Sequence, residues 1–288
     1  MLQSSGLNHN LEIPEPPTAP SPNEPAPVAV HKLDFAALGF PEYEDKYALV
    51  IDNLFTPADC QKLLDAAESA KEWEVAQVNG IGGFGYTDIS YRNSQRILYD
   101  DFDLADWILE KLRPYVGEIE SVDPERHHMM TRSMQERKAM GYRVPAPVQL
   151  SRVNERLRYL KYGPGQYFRR HCDGGYYTPD ETEVSYYTLQ LYLNGDAESL
   201  QGGATRFFSS WKGRNNPEKH LDVNPRAGRV LIFEQDGLLH AGEDVVHGTK
   251  ITIRSEFMYR FTTLDVPDDQ EQPLTPLAAE ESRASEAE

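Results

Sequence analysis

The chain has 288 residues, of which 39% are hydrophobic and 10% aromatic, and its formal net charge is -17. This composition predicts a folded protein, and the acidic balance argues against a general nucleic-acid-binding surface, because such a surface would repel phosphate backbones. Two cysteines exclude a disulfide framework, no apolar run has the length of a membrane span, and the first residues lack signal-peptide features. We therefore expect a cytoplasmic or nuclear protein with no nucleic-acid and no membrane partner.

The two ends of the chain differ in composition from the middle. Residues 1–30 hold seven of the twenty prolines and no Lys or Arg, and residues 265–288 hold eight acidic residues against one arginine. Neither segment can bury enough apolar surface to offset its ordering entropy. We predict a disordered proline-rich arm over 1–30, one domain over 31–264 and a disordered acidic tail over 265–288. The PxxP spacing of the arm suits contacts with a proline-reading partner, and a plain linker is the simpler interpretation.

The first half of the domain predicts one strand and two helices. A β-rich run covers residues 47–55. Thr56 then supplies an N-cap and Pro57 the first position of a helix. A second amphipathic helix is predicted from about Asp103 to Val116, because apolar residues recur there at helical spacing.

Beyond residue 150 the sequence becomes rich in short strands. β-Branched and aromatic residues concentrate in five segments, at 157–162, 184–193, 204–208, 229–234 and 249–261. Gly, Pro, Asn and Asp separate these segments, which is the pattern of strands joined by turns. Helices followed by many short strands favour an α+β fold, in which a jelly-roll or barrel carries flanking N-terminal helices.

A candidate metal site begins at the sequence His171-Cys172-Asp173. In an extended backbone, His171 and Asp173 lie on one face and Cys172 points away. A third ligand is needed, and His240, which follows an apolar strand, is the best candidate. Two histidines and one carboxylate on one side of an ion leave three positions open, as in non-haem Fe(II) oxygenases.

The strand that begins at Lys250 carries a cationic face. Alternation places Lys250, Thr252 and Arg254 on one side and Ile251 and Ile253 on the other. Two buried cations inside a small barrel are costly unless an anion lies between them. A dicarboxylic 2-oxo acid would satisfy this requirement if one end chelated iron and the far carboxylate met Lys250 or Arg254.

Together these segments resemble the prolyl 4-hydroxylase-like branch of the Fe(II)/2-oxoglutarate-dependent dioxygenases. The resemblance rests on the runs RYLKYGPGQYFRRHCDG (158–174), YTLQLYLN (187–194), GGATRFF (202–208) and HAGEDVVHGTK (240–250), and it covers roughly residues 45–262. It implies a double-stranded β-helix, a cupin-like jelly-roll, over about residues 150–262.

The resemblance also implies roles for individual residues. His171, Asp173 and His240 would bind Fe(II), with 2-oxoglutarate and O2 as co-substrates and ascorbate as a reductant. Lys250 would pair with the distal carboxylate of 2-oxoglutarate, and Arg254 is the alternative on the same face. Tyr192 would donate a hydrogen bond to that carboxylate, and Tyr162 would line the co-substrate pocket.

The sequence leaves several questions open. His247 competes with His240 as the third ligand. The Met-rich basic segment 126–143 suits either a recognition surface for a polypeptide or an ordinary surface element. The resemblance favours hydroxylation of a prolyl or other residue of a polypeptide. A small-molecule hydroxylase and a catalytically silent jelly-roll binding module are the alternatives.

Overall fold

The structure is a computed structural model, and it describes residues 10–19, 24–79, 85–124, 147–196, 198–209 and 219–261. The Met-rich segment 126–143 and the acidic tail 265–288 lie outside the described residues. The helices are α1 (Pro57–Ala70) and α2 (Phe102–Leu112), with single 3-10 turns at Pro41–Tyr43, Arg113–Tyr115 and Gly117–Ile119. The strands of the N-terminal half are β1 (Asn10–Glu12), β2 (Ala29–Lys32), β3 (Ala48–Asp52), β4 (Glu74–Val75), β5 (Val78–Asn79), β6 (Gly85–Tyr86), β7 (Arg92–Asn93), β8 (Gln95–Asp100) and β9 (Ser121–Val122). Those of the C-terminal half are β10 (Val148–Val153), β11 (Arg156–Tyr162), β12 (Tyr167–His171), β13 (Glu183–Tyr192), β14 (Gln201–Gly202), β15 (Thr205–Phe208), β16 (His220–Val223), β17 (Val230–Glu234), β18 (His240–Gly242), β19 (Val245–His247) and β20 (Lys250–Phe261).

Most strands belong to two sheets. The major sheet has the order β2-β3-β17-β13-β20-β11-β8-β4, with β9 and β10 attached beside β20, and the minor sheet has the order β1-β16-β15-β18-β12-β7. From β11 onward the chain alternates between the sheets, because β11, β13, β17 and β20 lie in the major sheet and β12, β15, β16 and β18 in the minor one. This alternation is the topology of a jelly-roll, so the predicted double-stranded β-helix is confirmed.

The central strands of the major sheet have two chemically different faces. On one face, odd-numbered residues such as Tyr159, Leu189 and Ile253 belong to the main hydrophobic core, which they share with Leu63 of α1 and Ile108 of α2. The even-numbered residues of β20, from Lys250 to Arg254, instead line a cavity between the two sheets. The period of two in the sequence therefore separates a helix-covered apolar core from a polar interior.

The helices follow their sequence signals with one difference. Thr56 and Asp59 form a reciprocal capping box at the start of α1, in which each side chain accepts a hydrogen bond from the other's backbone N–H. Helix α2 ends at Leu112 rather than at the predicted Val116. Pro114 lies two residues further on, and its missing N–H favours the 3-10 turn found there over a continued α-helix.

Part of the predicted flexible arm packs on the domain. Strand β1 pairs in parallel with β16, and Ile13 is buried in a second apolar cluster with Phe207 and Phe233. The amide of Asn53 donates hydrogen bonds to the carbonyl groups of Pro17 and Pro27. Leu11 and Ile13 are apolar, so this part of the arm has surface to bury even though the arm as a whole is rich in proline.

None of the helices in the described part of the chain has both the length and the apolarity that crossing a bilayer requires.

Candidate active site

The two histidines of the predicted metal site are cross-strand partners in the minor sheet. His171 ends β12 and His240 begins β18, and the register pairs these two residues directly. Their ring centroids are 4.3 Å apart. Antiparallel pairing therefore brings together two imidazoles that lie 69 positions apart in the sequence.

Asp173 completes the group from the same segment as His171. Its Oδ1 lies 3.5 Å from His171 Nε2, and its Oδ2 lies 3.9 Å from His240 Nε2. One ligand atom from each of the three residues falls within 4.8 Å of the others. Cys172 between them is exposed, as the alternation of an extended strand predicts.

Backbone carbonyl groups fix the orientation of both imidazoles. His171 Nδ1 lies 2.7 Å from the carbonyl oxygen of Arg169, and His240 Nδ1 lies 2.9 Å from that of Leu238. A carbonyl oxygen only accepts hydrogen bonds, so each Nδ1 carries a proton and donates it, and each Nε2 faces the Asp173 carboxylate. This outer hydrogen bond is the usual support of a metal-binding histidine.

The charge states also suit a divalent cation. Burial, together with the neighbouring His171, lowers the pKa of His240 to about 4, so this imidazole is neutral at pH 7. Burial alone would raise the pKa of Asp173, but the Arg254 guanidinium and the nearby histidines hold it well below its usual range. Two imidazoles and one carboxylate match the donor set of a non-haem iron site, and their geometry fits such a metal.

Lys250 lies on the opposite sheet and lines the same cavity. Its side chain is buried, and its Nζ donates a 2.6 Å hydrogen bond to the carbonyl oxygen of Gly203. Gly203 has φ +72°, and a Cβ there would lie 3.1 Å from Lys250 Cδ, so the Gly202-Gly203 turn shapes the wall beside this lysine. Burial lowers the pKa of Lys250 to about 7, with Glu243 opposing part of the effect.

Arg254 has different partners from Lys250. Its Nη2 lies 2.9 Å from Asp173 Oδ1, and its Nε lies 3.3 Å from Asp173 Oδ2. The two cations that the sequence placed on one face therefore serve different ends of the cavity. Arg254 is at the triad, and Lys250 is beside Tyr162.

The two tyrosines implied by the family resemblance differ in position. Tyr162 lines the cavity, and its ring centroid is 5.2 Å from Lys250 Nζ. Tyr192 is fully buried, and its hydroxyl donates a 2.7 Å hydrogen bond to Thr205 Oγ1. Thr205 itself lines the cavity and also accepts a 2.7 Å hydrogen bond from Gln190. Tyr162 therefore lines the cavity itself, whereas the Tyr192 hydroxyl contacts Thr205 of the cavity lining.

Sequence reasoning missed several residues around the triad. Gln190 lies on the same face of β13 as Tyr192, so strand alternation was an available signal for it. Phe168 stacks on His171 with a centroid separation of 3.7 Å, and the guanidinium of Arg92 lies 4.6 Å from the Phe168 ring centroid. The pairing of β7 with β12 brings Arg92 to Phe168, and no pattern within the sequence predicts this contact.

His247, the competing third ligand, is exposed and lies outside the cluster of possible ligands. It ends β19, which pairs with β14 in a separate two-stranded ribbon. The structure therefore groups His240, and not His247, with His171 and Asp173.

A second cavity, of about 530 Å³, lies away from the triad. Its lining includes Asp52, Asn53, Asn194 and Arg226, and it shares no lining residue with the cavity at the triad. Among the described residues, the His-Asp-His group is the one cluster with metal-binding spacing, and it lies in the smaller cavity. Chemistry, and not cavity size, therefore locates the candidate active site.

Residues 157–257 match the model of the 2OG-Fe(II) oxygenase superfamily. The matched region contains all three members of the triad as well as Lys250 and Arg254. No curated protein matches the chain.

Among solved structures, the chain is similar to several prolyl hydroxylases at low identity. A viral collagen prolyl hydroxylase from Paramecium bursaria Chlorella virus-1 has 19% identity and a TM-score of 0.40, with 75% of this chain and 97% of that chain covered. A Pseudomonas putida prolyl-4-hydroxylase has 18% identity and a TM-score of 0.41, with 72% and 89% covered. A Trichoplax adhaerens prolyl hydroxylase, solved with a hypoxia-inducible-factor peptide fragment, has 12% identity and a TM-score of 0.43, with 79% and 89% covered. Likeness at this level carries no argument about the substrate.

The family match, the jelly-roll topology and the His-Asp-His cluster agree with one another. The enzymes of the matched family use Fe(II), 2-oxoglutarate and O2. Over residues 157–257 the chain is therefore similar to the 2OG-Fe(II) oxygenase superfamily, and this match supports a 2-oxoglutarate-dependent dioxygenase.

Proposed function

We propose that this enzyme hydroxylates a prolyl or other residue of a polypeptide, with His171, Asp173 and His240 as the metal ligands. When bound, the metal and 2-oxoglutarate supply the oxidation of an unactivated C–H bond, with release of succinate and CO2 and with ascorbate as a reductant. The protein's own contribution is to orient these groups and to select the C–H bond.

The observation that carries the proposal is the isolated charge of Lys250 in the triad's cavity. Among the described residues, the Gly203 carbonyl is the hydrogen-bond partner of its Nζ, and no carboxylate lies within ion-pair distance. A buried ammonium group without a counter-ion is costly. The distal carboxylate of 2-oxoglutarate would supply that counter-ion, so Lys250 is its proposed anchor, with Tyr162 beside it.

An exposed apolar rim supports a polypeptide as the substrate. Ile89 is 63% exposed and Tyr86 is 50% exposed, in the segment that precedes β7. The hydroxyl of Tyr167 donates a hydrogen bond to the carbonyl of Ile89, and Tyr91 packs edge-on against Phe168 of the cavity wall. Exposed aromatic and apolar side chains beside a cavity suit contacts with extended, proline-containing chains, which aromatic surfaces recognise.

Succinate formation and mass spectrometry together test the proposal. Purified protein with Fe(II), 2-oxoglutarate and ascorbate is incubated with a pool of proline-containing peptides. We expect succinate and peptides that have gained the mass of one oxygen atom, and we expect neither product from His240→Ala. Modified small molecules but no modified peptide would establish the small-molecule alternative. Absence of both iron uptake and 2-oxoglutarate decarboxylation would establish a silent binding module.

A further inference from the structure

The second cavity lies on the opposite face of the major sheet from the triad. In β20, Ile251 lines this cavity, whereas Lys250 and Thr252 line the cavity at the triad. Successive residues of a strand point to opposite faces of the sheet, so the sheet itself separates the two cavities. The volume of the second cavity, about 530 Å³, falls within the range of about 300–1,000 Å³ that is usual for ligand sites.

The proline-rich arm already forms part of this cavity. Pro16 is half-buried and lines it, whereas Pro14 and Pro17 are exposed. The carboxylate of Glu15 forms an ion pair with Arg226 of the cavity wall. The structure therefore shows a proline-rich segment that is held at the cavity by a prolyl ring and by the acidic side chain next to it.

Asn53 of the cavity wall binds prolyl carbonyl groups. Its side-chain amide donates a 3.1 Å hydrogen bond to the carbonyl oxygen of Pro17 and a 2.9 Å hydrogen bond to that of Pro27. A prolyl residue has no N–H, so a surface that hydrogen-bonds to its backbone must supply the donor. The Asn53 amide supplies two such donors at the cavity.

The backbone at Asn53 limits which residues can supply these donors. Its φ of 62° lies in the left-handed region, which Gly, Asn and Asp enter more readily than other residues. Glycine has no side chain, and an ionised aspartate only accepts hydrogen bonds. Of these three residues, asparagine alone both suits the backbone and donates to a prolyl carbonyl.

The arm is a weak ligand for this site. The Glu15 side chain is 79% exposed, so its ion pair with Arg226 contributes little to the binding of the arm. Among the described arm residues, Pro16 is the one that lines the cavity. The arm occupies the site because it is part of the same chain, which gives it a high effective concentration. A separate polypeptide that fills more of the cavity can therefore displace it.

We propose that the second cavity is a binding site for a proline-rich polypeptide with an acidic residue beside its prolines, and that arm residues 14–17 occupy it as an intramolecular ligand. A proline-rich chain is largely preorganised, so a few contacts are enough to bind it. The site goes beyond the proposed function, because it uses neither the triad nor Lys250. It would hold a proline-rich partner on the helix-covered side of the major sheet.

Release of the arm tests the proposal. The probe is a fluorescein-labelled synthetic peptide with the sequence of residues 13–19, and its binding to the full-length protein is followed by fluorescence anisotropy. The variant Glu15→Lys/Pro16→Ala weakens the arm and leaves the cavity wall intact, so we expect the affinity for the probe to rise by about 5-fold or more. The matched control is Glu24→Lys/Pro25→Ala, which changes the same dipeptide at exposed positions outside the cavity lining. We expect it to bind the probe as the wild type does.

A change in the cavity wall should have the opposite effect. Asn53→Gly, added to the variant with the weakened arm, keeps a residue that tolerates the left-handed backbone and removes the two donors. We expect the affinity for the probe to fall by about 3-fold or more, as for the loss of a neutral hydrogen bond. Unchanged affinity would show that Asn53 does not contact the probe and would overturn the site.

Metal dependence separates this site from the triad. Because the major sheet lies between the two cavities, Mn(II) and 2-oxoglutarate should leave the affinity for the probe unchanged, and so should His240→Ala. Affinity that depends on any of these would place the probe at the triad and overturn the proposal. A protein that forms no succinate but binds the probe as described would defeat the proposed function and leave this site standing.

Three further outcomes would decide against the proposal. They are no gain in probe affinity when the arm is weakened, an equal gain in the control variant, and a dimer in place of probe binding. Light scattering detects such a dimer, which would make a second copy of the chain the occupant. If Glu15→Lys/Pro16→Ala does not fold, as judged by circular dichroism, Glu15→Ala replaces it. A smaller gain in probe affinity then supports the proposal, and no gain contradicts it.

Discussion

The two sheets of the jelly-roll contribute to the candidate active site in different ways. The minor sheet supplies His171 and His240, and carbonyl groups two residues upstream in the same chain orient both rings. The major sheet supplies Lys250 and Arg254. Their hydrogen-bond partners, Gly203 and Asp173, lie 47 and 81 positions away in the sequence. The orientation of each imidazole is thus local in the sequence, whereas the contacts of the two cations are set by long-range packing.

The largest expected effect is the loss of metal affinity when a histidine of the minor sheet is removed. His240→Ala removes one of three candidate ligand atoms, and we expect the affinity for Mn(II) or Fe(II) to fall by more than about 100-fold, since even outer-shell changes cost 10–100-fold. His247→Ala is the matched control, because His247 is exposed and outside the cluster. Metal titrations that show the opposite order would transfer the third ligand to His247.

The affinity for 2-oxoglutarate should depend on pH through Lys250 of the major sheet. Burial lowers the pKa of Lys250 to about 7, and a bound dianion favours its protonated form, so 2-oxoglutarate affinity should fall as the pH rises through 7. The loss should approach 10-fold per pH unit above that value, with one proton taken up on binding at about pH 8 and almost none at about pH 6. Calorimetry in buffers of different ionisation enthalpy measures this uptake. Lys250→Arg, which stays charged, should show no uptake, and proton-independent binding by the wild type would remove Lys250 as the anchor.

A smaller loss of 2-oxoglutarate affinity is expected on substitution of Tyr192. The Tyr192 hydroxyl is bound to Thr205 Oγ1 at 2.7 Å, so Tyr192→Phe should cost 2-oxoglutarate binding about 1 kcal/mol or less, by loosening Thr205 alone. The family resemblance implies a direct contact with the distal carboxylate. If Tyr192→Phe weakens binding as much as Lys250→Met does, the direct contact is the correct assignment.

Strand alternation predicted much of this site from the sequence. It placed His171 with Asp173, turned Cys172 outward and put Lys250 and Arg254 on one face, and the structure agrees in each case. Each of these inferences needs only the period of two within a single strand.

Other features were beyond local patterns. The pairing of Arg254 with Asp173 depends on how the two sheets face each other, and no spacing rule links those positions. The position of Tyr192 behind Thr205 likewise follows from the approach of β13 to β15 across the interior. In the arm, proline content suggested disorder, but two apolar side chains were enough to pack residues 10–13 against the domain.

In the proposed complex, one molecule of 2-oxoglutarate bridges the two sheets, with a metal on the minor sheet at one end and Lys250 on the major sheet at the other. Titration of 2-oxoglutarate into the wild-type protein with and without Mn(II) tests this claim most directly. We predict that removal of the metal weakens binding by about 100-fold or more, because the chelating end then loses its partner. Equal affinity with and without the metal would show that 2-oxoglutarate does not join the two sheets, and it would contradict the account.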